Sequence, residues 1–331
     1  MLQKLVSPLL GPEAAPFLWL LQELDEGRQA ALLTVTAVNG SAPRPLGTHM
    51  AVVSAERYQG YLSGGCVEPA IALEVEAVIK KGDDSILRFG KGSPFFDVRF
   101  PCGGGIDVLA HVNPDPSMIE DVLDRLADRR SFTLAFRPNE NKVTLLDTVE
   151  LNGWCGRDFH RHYLPATRLR LAGRGPELEA VARMGVAAQH DVEIATPDAE
   201  TARRLSDLTL KVRLLSSPGS TWVWDKPADP WTATVVLFHE REWEEPILAQ
   251  AIKEPGFYVG ALGSVRTQAK RRERLVSAGH DLSAVDRIAG PIGIIPQARD
   301  PATLALSVLG EIAVRRTIAE EAQDRRSRTP C

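Results

Sequence analysis

No apolar run in these 331 residues approaches the ~20 that a membrane span needs, so a transmembrane segment is not expected. Positive charge is not in excess either. With 39 Lys and Arg against 43 Asp and Glu, the formal net charge is −4, and no broad basic field is available to gather nucleic acid. Cysteine is scarce, with four in the chain: Cys66, Cys102, Cys155 and Cys331. That is too few for a disulfide framework, and in a reducing compartment all four are expected to be free thiols. The opening stretch MLQKLVSPLLGPEAAPFLWLL lacks an unbroken apolar core, because Pro8, Pro12, Glu13 and Pro16 interrupt it, so it does not read as a signal peptide. The protein is therefore expected in the cytoplasm. Internal repeats are also missing. What remains is an ordinary globular composition, 44% hydrophobic and 25% charged, over a length that favours about two domains.

Local patterns divide the chain. The first half reads as α+β with hairpins: a short amphipathic helix at PFLWLLQELDEG, a strand at AALLTVTAVNG, a loop forced by the prolines and glycines of GSAPRPLGTHM, then strands at MAVVS and GYLSG. A helix opens near Val67, with Pro69 in its first turn and Ile71, Val75, Val78 and Ile79 on its apolar face. SILRFG, FFDVRF and IDVLAHV read as strands, SMIEDVLDRLADRR as a helix, and SFTLAF with KVTLLD as a hairpin across PNEN. Residues 149–166 lack periodicity and read as a linker after a first domain spanning 1–148. From 167 to 318 strands alternate with helices, the pattern of a Rossmann-like, doubly wound parallel sheet. The polar residues 319–331 read as a flexible tail.

Two cysteines stand beside glycines. Cys66 follows Gly64 and Gly65 at the start of a helix, where the helix end favours a thiolate, and Cys102 precedes Gly103 and Gly104. His49, His160 and His162 share no spacing with cysteines that would indicate zinc. Gly173 and Gly175 lie between a strand and a helix, as in a dinucleotide fold. However, Leu178 holds the third glycine position, and Ala195 and Thr196 end the second strand where an acid would grip the ribose, so NAD is not an expected ligand. Gly263 and Ser264 follow a buried strand and open a helix carrying Arg266, Lys270, Arg271 and Arg272, a combination that suits a phosphate; His239 and Glu240 end the neighbouring strand.

Taken together, GSAPRPLGTHMAVV, GYLSGGCVEPAI, CGGGIDVL, VLFHE, YVGALGS and AGPIGIIPQARDPATLALSVLGEI resemble the XdhC/CoxI family over nearly the whole chain. The resemblance implies a xanthine dehydrogenase accessory protein that binds molybdenum cofactor (molybdopterin) and assists its sulfuration and insertion into a xanthine dehydrogenase-type molybdoenzyme. It implies a proline-arginine loop at Ser41, Pro43, Arg44 and Gly47, and cysteine motifs at Gly64, Gly65, Cys66 and Glu68 and at Cys102, Gly103 and Gly104. It further implies a strand-end His239 with Glu240, and a glycine-serine loop at Gly260, Leu262, Gly263, Ser264 and Arg266. Family members commonly carry a fuller glycine turn than the one at Gly173 and Gly175, and an acid after it.

Soft thiolates suit a sulfur-rich metal centre, so Cys66 is the expected contact to molybdenum, with Cys102 a second candidate thiol or its partner in a reversible disulfide. Glycines beside Cys66 let a bulky ligand approach the backbone. A cysteine desulfurase as sulfur donor and a homodimeric assembly are further expectations. The alternative reading is an enzyme on the same fold, an NAD-linked oxidoreductase or a cysteine-dependent sulfur transferase.

Overall fold

A computed structural model of the chain describes residues 11–41, 44–65, 67–95, 100, 103–208, 211–219 and 223–326. The chain divides into two compact units, Met1–Pro165 together with Asp324–Cys331, and Ala166–Gln323.

The first unit contains α1 (Ala15–Asp25), β1 (Ala31–Asn39), β2 (His49–Ser54), β3 (Arg57–Gly60), α2 (Glu68–Lys81), β4 (Ser85–Gly90), β5 (Gly105–Val112), α3 (Pro116–Ala127), β6 (Phe132–Arg137), β7 (Lys142–Leu146), β8 (Gly153–Cys155) and β9 (Asp158–Tyr163). A five-stranded antiparallel sheet runs β3-β2-β1-β5-β4, and a four-stranded one runs β7-β6-β9-β8. The run Ala31–Thr36 is buried throughout rather than at every second residue because both faces of β1 are covered. Ala31, Leu33 and Val35 pack with Ile71, Val75 and Ile79 of α2, while Leu32 packs with Phe17, Leu20, Ile119 and Val122 of α1 and α3. Burying each such aliphatic side chain contributes about 1.5–3 kcal/mol. Helix α2 has Pro69 in its first turn and Lys80 and Lys81 in its last, and it ends on Gly82 in the left-handed conformation.

The second unit contains β10 (Arg168–Gly173), α4 (Gly175–Ala187), β11 (Asp191–Thr196), α5 (Ala199–Arg204), β12 (Lys211–Leu214), β13 (Thr232–Leu237), α6 (Arg241–Ala251), β14 (Tyr258–Ala261), α7 (Val265–Ser277), α8 (Leu282–Val285), β15 (Ile288–Ala289) and, up to Gln323, α9 (Pro301–Arg326). Its strands are all parallel, in the order β12-β11-β10-β13-β14-β15. This is the doubly wound order 3-2-1-4-5-6, and strands β10 and β13, buried on both faces, form its centre. Buried ion pairs stand behind the sheet. Arg170, fully buried, donates to Glu193 at 3.0 Å and to the Lys226 carbonyl at 2.6 Å, with its guanidinium 5.1 Å over the Trp224 ring.

Several expectations need correction. Residues 149–166 hold β8 and β9 instead of a structureless linker: Phe159, His162 and Tyr163 bury themselves against β6, and Phe132 pairs with Tyr163 across the ladder. The strand expected at GYLSG lies earlier, over Arg57–Gly60, and Gly64 and Gly65, at φ of 130° and 105°, belong to the turn that follows it. The supposed tail is helical to Arg326, supported by an Arg316–Glu320 pair one turn apart at 2.6 Å and by Arg316 lying 4.2 Å over Trp231. Cys155 is disulfide-bonded, against the expectation of a free thiol. Most of FFDVRF, residues 96–99, falls outside the described residues.

Candidate functional site

The register of the first sheet fixes where its motif loops lie. His49 pairs with Thr34, Met50 with Gly60, Asn39 with Gly105 and Gly105 with Gly90. The end of β1, the start of β2, the ends of β3 and β4 and the start of β5 therefore share one end of the sheet. The proline-arginine loop, the Ser63–Val67 turn and the CGG segment all spring from that end. Pro43, Cys66 and Cys102 themselves lie outside the described residues.

Contacts tie two of these loops together. Gly104 sits so close to the first loop that an added Cβ would fall within the radius of the Ser41 carbonyl oxygen, 2.9 Å from its carbon and 3.2 Å from the Asn39 oxygen. On its other side the Gly104 carbonyl accepts from Lys91 N at 2.9 Å. Gly103, with φ of 70°, has open space where a side chain would stand, as do Gly64 and Gly65 apart from the Tyr61 ring edge 4.0 Å from the latter. Ser41 and Arg44 are exposed. Gly47 is buried with φ of 79° and is held by Arg161, which donates to its carbonyl at 3.2 Å, fills the space beside it and pairs with Glu13 at 2.6 Å. Arg161 also lies 4.7 Å over the Tyr163 ring.

Glu68 occupies the first position of α2 and is completely buried. Its Oε1 accepts from Ser63 N at 2.7 Å, Ser63 Oγ at 2.8 Å and Gly64 N at 3.1 Å. Its Oε2 accepts from Ser63 Oγ at 2.8 Å, Gly65 N at 2.9 Å and Val67 N at 3.2 Å. Burial pushes this carboxyl up, but the bonds from Ser63 and Gly64 outweigh it and hold the group below the ordinary range. Behind the same loops His49 is buried, bonded to Thr34 Oγ1 at 3.0 Å and to the Tyr163 hydroxyl. Burial, with the Arg161 charge adding to it, pushes His49 down to about 3.

In the second unit the carboxyl ends of β10, β13 and β14 are neighbours, and the strand order reverses between β10 and β13, the position where open α/β sheets take ligands. Gly173 packs against Leu237, where a Cβ would lie 2.8 Å from the Leu237 Cβ. Gly175, with φ of 76°, donates its N–H to Thr201 Oγ1 at 3.0 Å, so the amide that a dinucleotide pyrophosphate would meet is already engaged. Arg174 pairs with Glu240 at 2.9 Å across the reversal, and His239 beside it is exposed. Ser264 caps α7 by accepting from Thr267 N at 3.2 Å, and Arg266 is exposed in the first turn.

Two of the four cations expected on this helix are committed elsewhere. Arg271 is fully buried and forked onto Glu244 with two bonds of 2.7 Å; it also donates to the Leu262 carbonyl at 2.7 Å and to Gln268. Arg272 pairs with Asp286 at 2.7 Å. Arg271 thus braces the glycine-serine loop from beneath. Its spacing of four from Leu275, which is also buried, is a sequence signal that could have placed it on the inner face.

A family model described as the XdhC and CoxI family matches residues 23–90, and one described as the XdhC Rossmann domain matches residues 169–312. The chain is 36% identical over 301 residues to the molybdenum cofactor insertion chaperone PaoD of Escherichia coli (strain K12), with 91% of this chain and 88% of that one covered. The chain belongs to the XdhC and CoxI family. Another relative, a Bacillus subtilis (strain 168) protein whose name makes it a probable component of xanthine dehydrogenase, is 25% identical, covering 87% of this chain and 94% of that one. A crystal structure of a Bacillus halodurans protein named a xanthine dehydrogenase superposes with a TM-score of 0.68 at 18% identity, over 96% of this chain and 97% of that one, a likeness of fold. The XdhC Rossmann match spans the six parallel strands of the second unit, and the first match spans the proline-arginine loop and the Ser63–Val67 turn. Among the described residues no helix is long and apolar enough to cross a membrane, and no cluster of His, Cys, Asp and Glu could hold a metal ion.

Proposed function

We propose that this chain binds molybdenum cofactor as cargo and assists its insertion into a xanthine dehydrogenase-type molybdenum hydroxylase. The observation that carries the proposal is the convergence of three motif loops at one end of the five-stranded sheet, in a chain 36% identical to a molybdenum cofactor insertion chaperone. The fit is chemical. Gly64, Gly65 and Gly103 leave open space at positive φ, which admits a bulky ligand against backbone. Cys66 and Cys102, whose positions in sequence flank those glycines, would offer the soft sulfur that a molybdenum centre with sulfur ligands prefers. Ser41 and Arg44 are exposed at the same end and would meet its anionic groups. On the second unit, we assign anion recognition to the rim formed by His239, Gly263, Ser264 and Arg266.

In its finer form the proposal has the cargo sulfurated while held, with a cysteine desulfurase supplying sulfur, before the chain docks on its recipient. The chain holds and hands over; it does not convert. The test is reconstitution: a recipient hydroxylase prepared without cofactor is mixed with the cofactor-loaded chain, and its activity is followed. Activation that needs this chain, and that is lost in Cys66→Ala, is expected. Equal activation by free cofactor alone would sink the proposal.

A further inference from the structure

We infer that Glu68 is a positioning residue, an internal anion that fills the amide nest of the Ser63–Val67 turn, holds the turn in shape and closes it to phosphate. The inference rests on reading this turn as part of the cargo site.

Successive backbone N–H groups that converge at a turn, followed by a helix N-terminus, ordinarily form an anion site. Here Gly64 and Gly65, at φ of 130° and 105°, turn the amides of residues 63, 64, 65 and 67 toward one point. That point is taken by the Glu68 carboxylate. Six contacts from five donors, the single Ser63 hydroxyl proton being shared between the two oxygens, use up its roughly four lone-pair sites, and the side chain has no exposed surface. A ligand can therefore neither touch this carboxylate nor take its amides. The phosphate of the cargo must be recognised elsewhere, and the turn presents only its outer face, with the open space over Gly64 and Gly65. The carboxylate also offsets the positive end of α2, so the electrostatic reason for a thiolate at Cys66 is weaker than its place in sequence implies.

The experiment uses the full-length chain. Residue-resolved hydrogen exchange on the wild type is expected to show slow amides at Ser63, Gly64, Gly65 and Val67, unaffected by millimolar inorganic phosphate. Glu68→Ala removes charge-assisted bonds and should speed their exchange about 10- to 150-fold. Formate, which fits the vacated nest, should restore protection, and formamide should not. Molybdenum retained through gel filtration should fall about tenfold in Glu68→Ala and recover with formate, a rescue that a mere packing residue would not show. Fast exchange in the wild type, or phosphate slowing it, overturns the nest. If formate restores the amides but not retention while the wild type retains cargo, the positioning role fails. If the wild type itself retains no cargo, the proposed function falls while the exchange arms still decide the nest. Should Glu68→Ala fail to fold, Glu68→Gln serves: its amide nitrogen cannot accept, and loss of protection at the residues facing it is expected.

Discussion

Replacing Gly104 by alanine tests the packing that joins the proline-arginine loop to the CGG segment. The added methyl would overlap the Ser41 carbonyl oxygen and lie 2.9 Å from its carbon and 3.2 Å from the Asn39 oxygen. All three obstacles are backbone, so no flexible side chain can yield. The Gly104 carbonyl is meanwhile tied to Lys91 N, which stops the segment from retreating. Overpacking of this kind costs about 1–3 kcal/mol and occasionally more. Its neighbour is the control. Gly103 has φ of 70° but open space around its missing Cβ, so Gly103→Ala incurs only the left-handed conformational cost, about 1–2 kcal/mol. If the strain of Gly104→Ala is relieved by the loop moving away, each ~1.4 kcal/mol spent on restoring it lowers cargo affinity about tenfold. Urea unfolding gives the stability of both variants, and cofactor retention gives the loop's contribution. Gly104→Ala is expected to lose retention more severely than Gly103→Ala at comparable stability. Full retention in Gly104→Ala would refute the idea that this contact shapes the site.

Further outcomes follow from buried charge. Arg271→Met leaves Glu244 buried without its partner and should cost about 3–5 kcal/mol, whereas the double variant with Glu244→Leu should recover most of it; calorimetry of the three proteins checks this, and a double variant as unstable as the single one contradicts it. His49 supplies a pH dependence. Its folded proton affinity is pushed to about 3 by burial first and by the Arg161 charge second, against 6.5 when unfolded. The unfolded chain thus binds more protons between those values, so stability is lost as pH falls below 6.5, by about 1.4 kcal/mol per pH unit for this one group. His162 and His190, lowered by burial, act in the same direction. His49→Gln should flatten the slope measured by denaturant midpoints from pH 7 to pH 5; an unchanged slope would show that His49 takes up its proton equally in the folded and unfolded protein and would contradict this.

Elements with strong periodicity were legible from the sequence. The apolar face of α2, the βα alternation of the second unit and the hairpin of β6 and β7 follow from spacing alone. What escaped depended on partners distant in sequence. β8 is three residues long, and β9 reads DFHRHY, whose polar residues hide an inward Phe159 and Tyr163 that only β6 explains. Arg271 read as one of four cations suited to a phosphate until Glu244, 27 residues earlier, claimed it. Glu68 read as one more motif residue, although an acid opening a helix just after a double glycine already carries the signal of a self-capped turn.

The most direct test of the account is anaerobic titration of the purified chain with molybdenum cofactor, followed by gel filtration and molybdenum analysis, with a parallel NADH titration by fluorescence. One molybdenum retained per binding-competent chain, loss of that metal in Cys66→Ala with the fold intact, and no NADH signal are expected. NADH binding without retained molybdenum would contradict it and identify a dinucleotide enzyme with an unusual glycine turn.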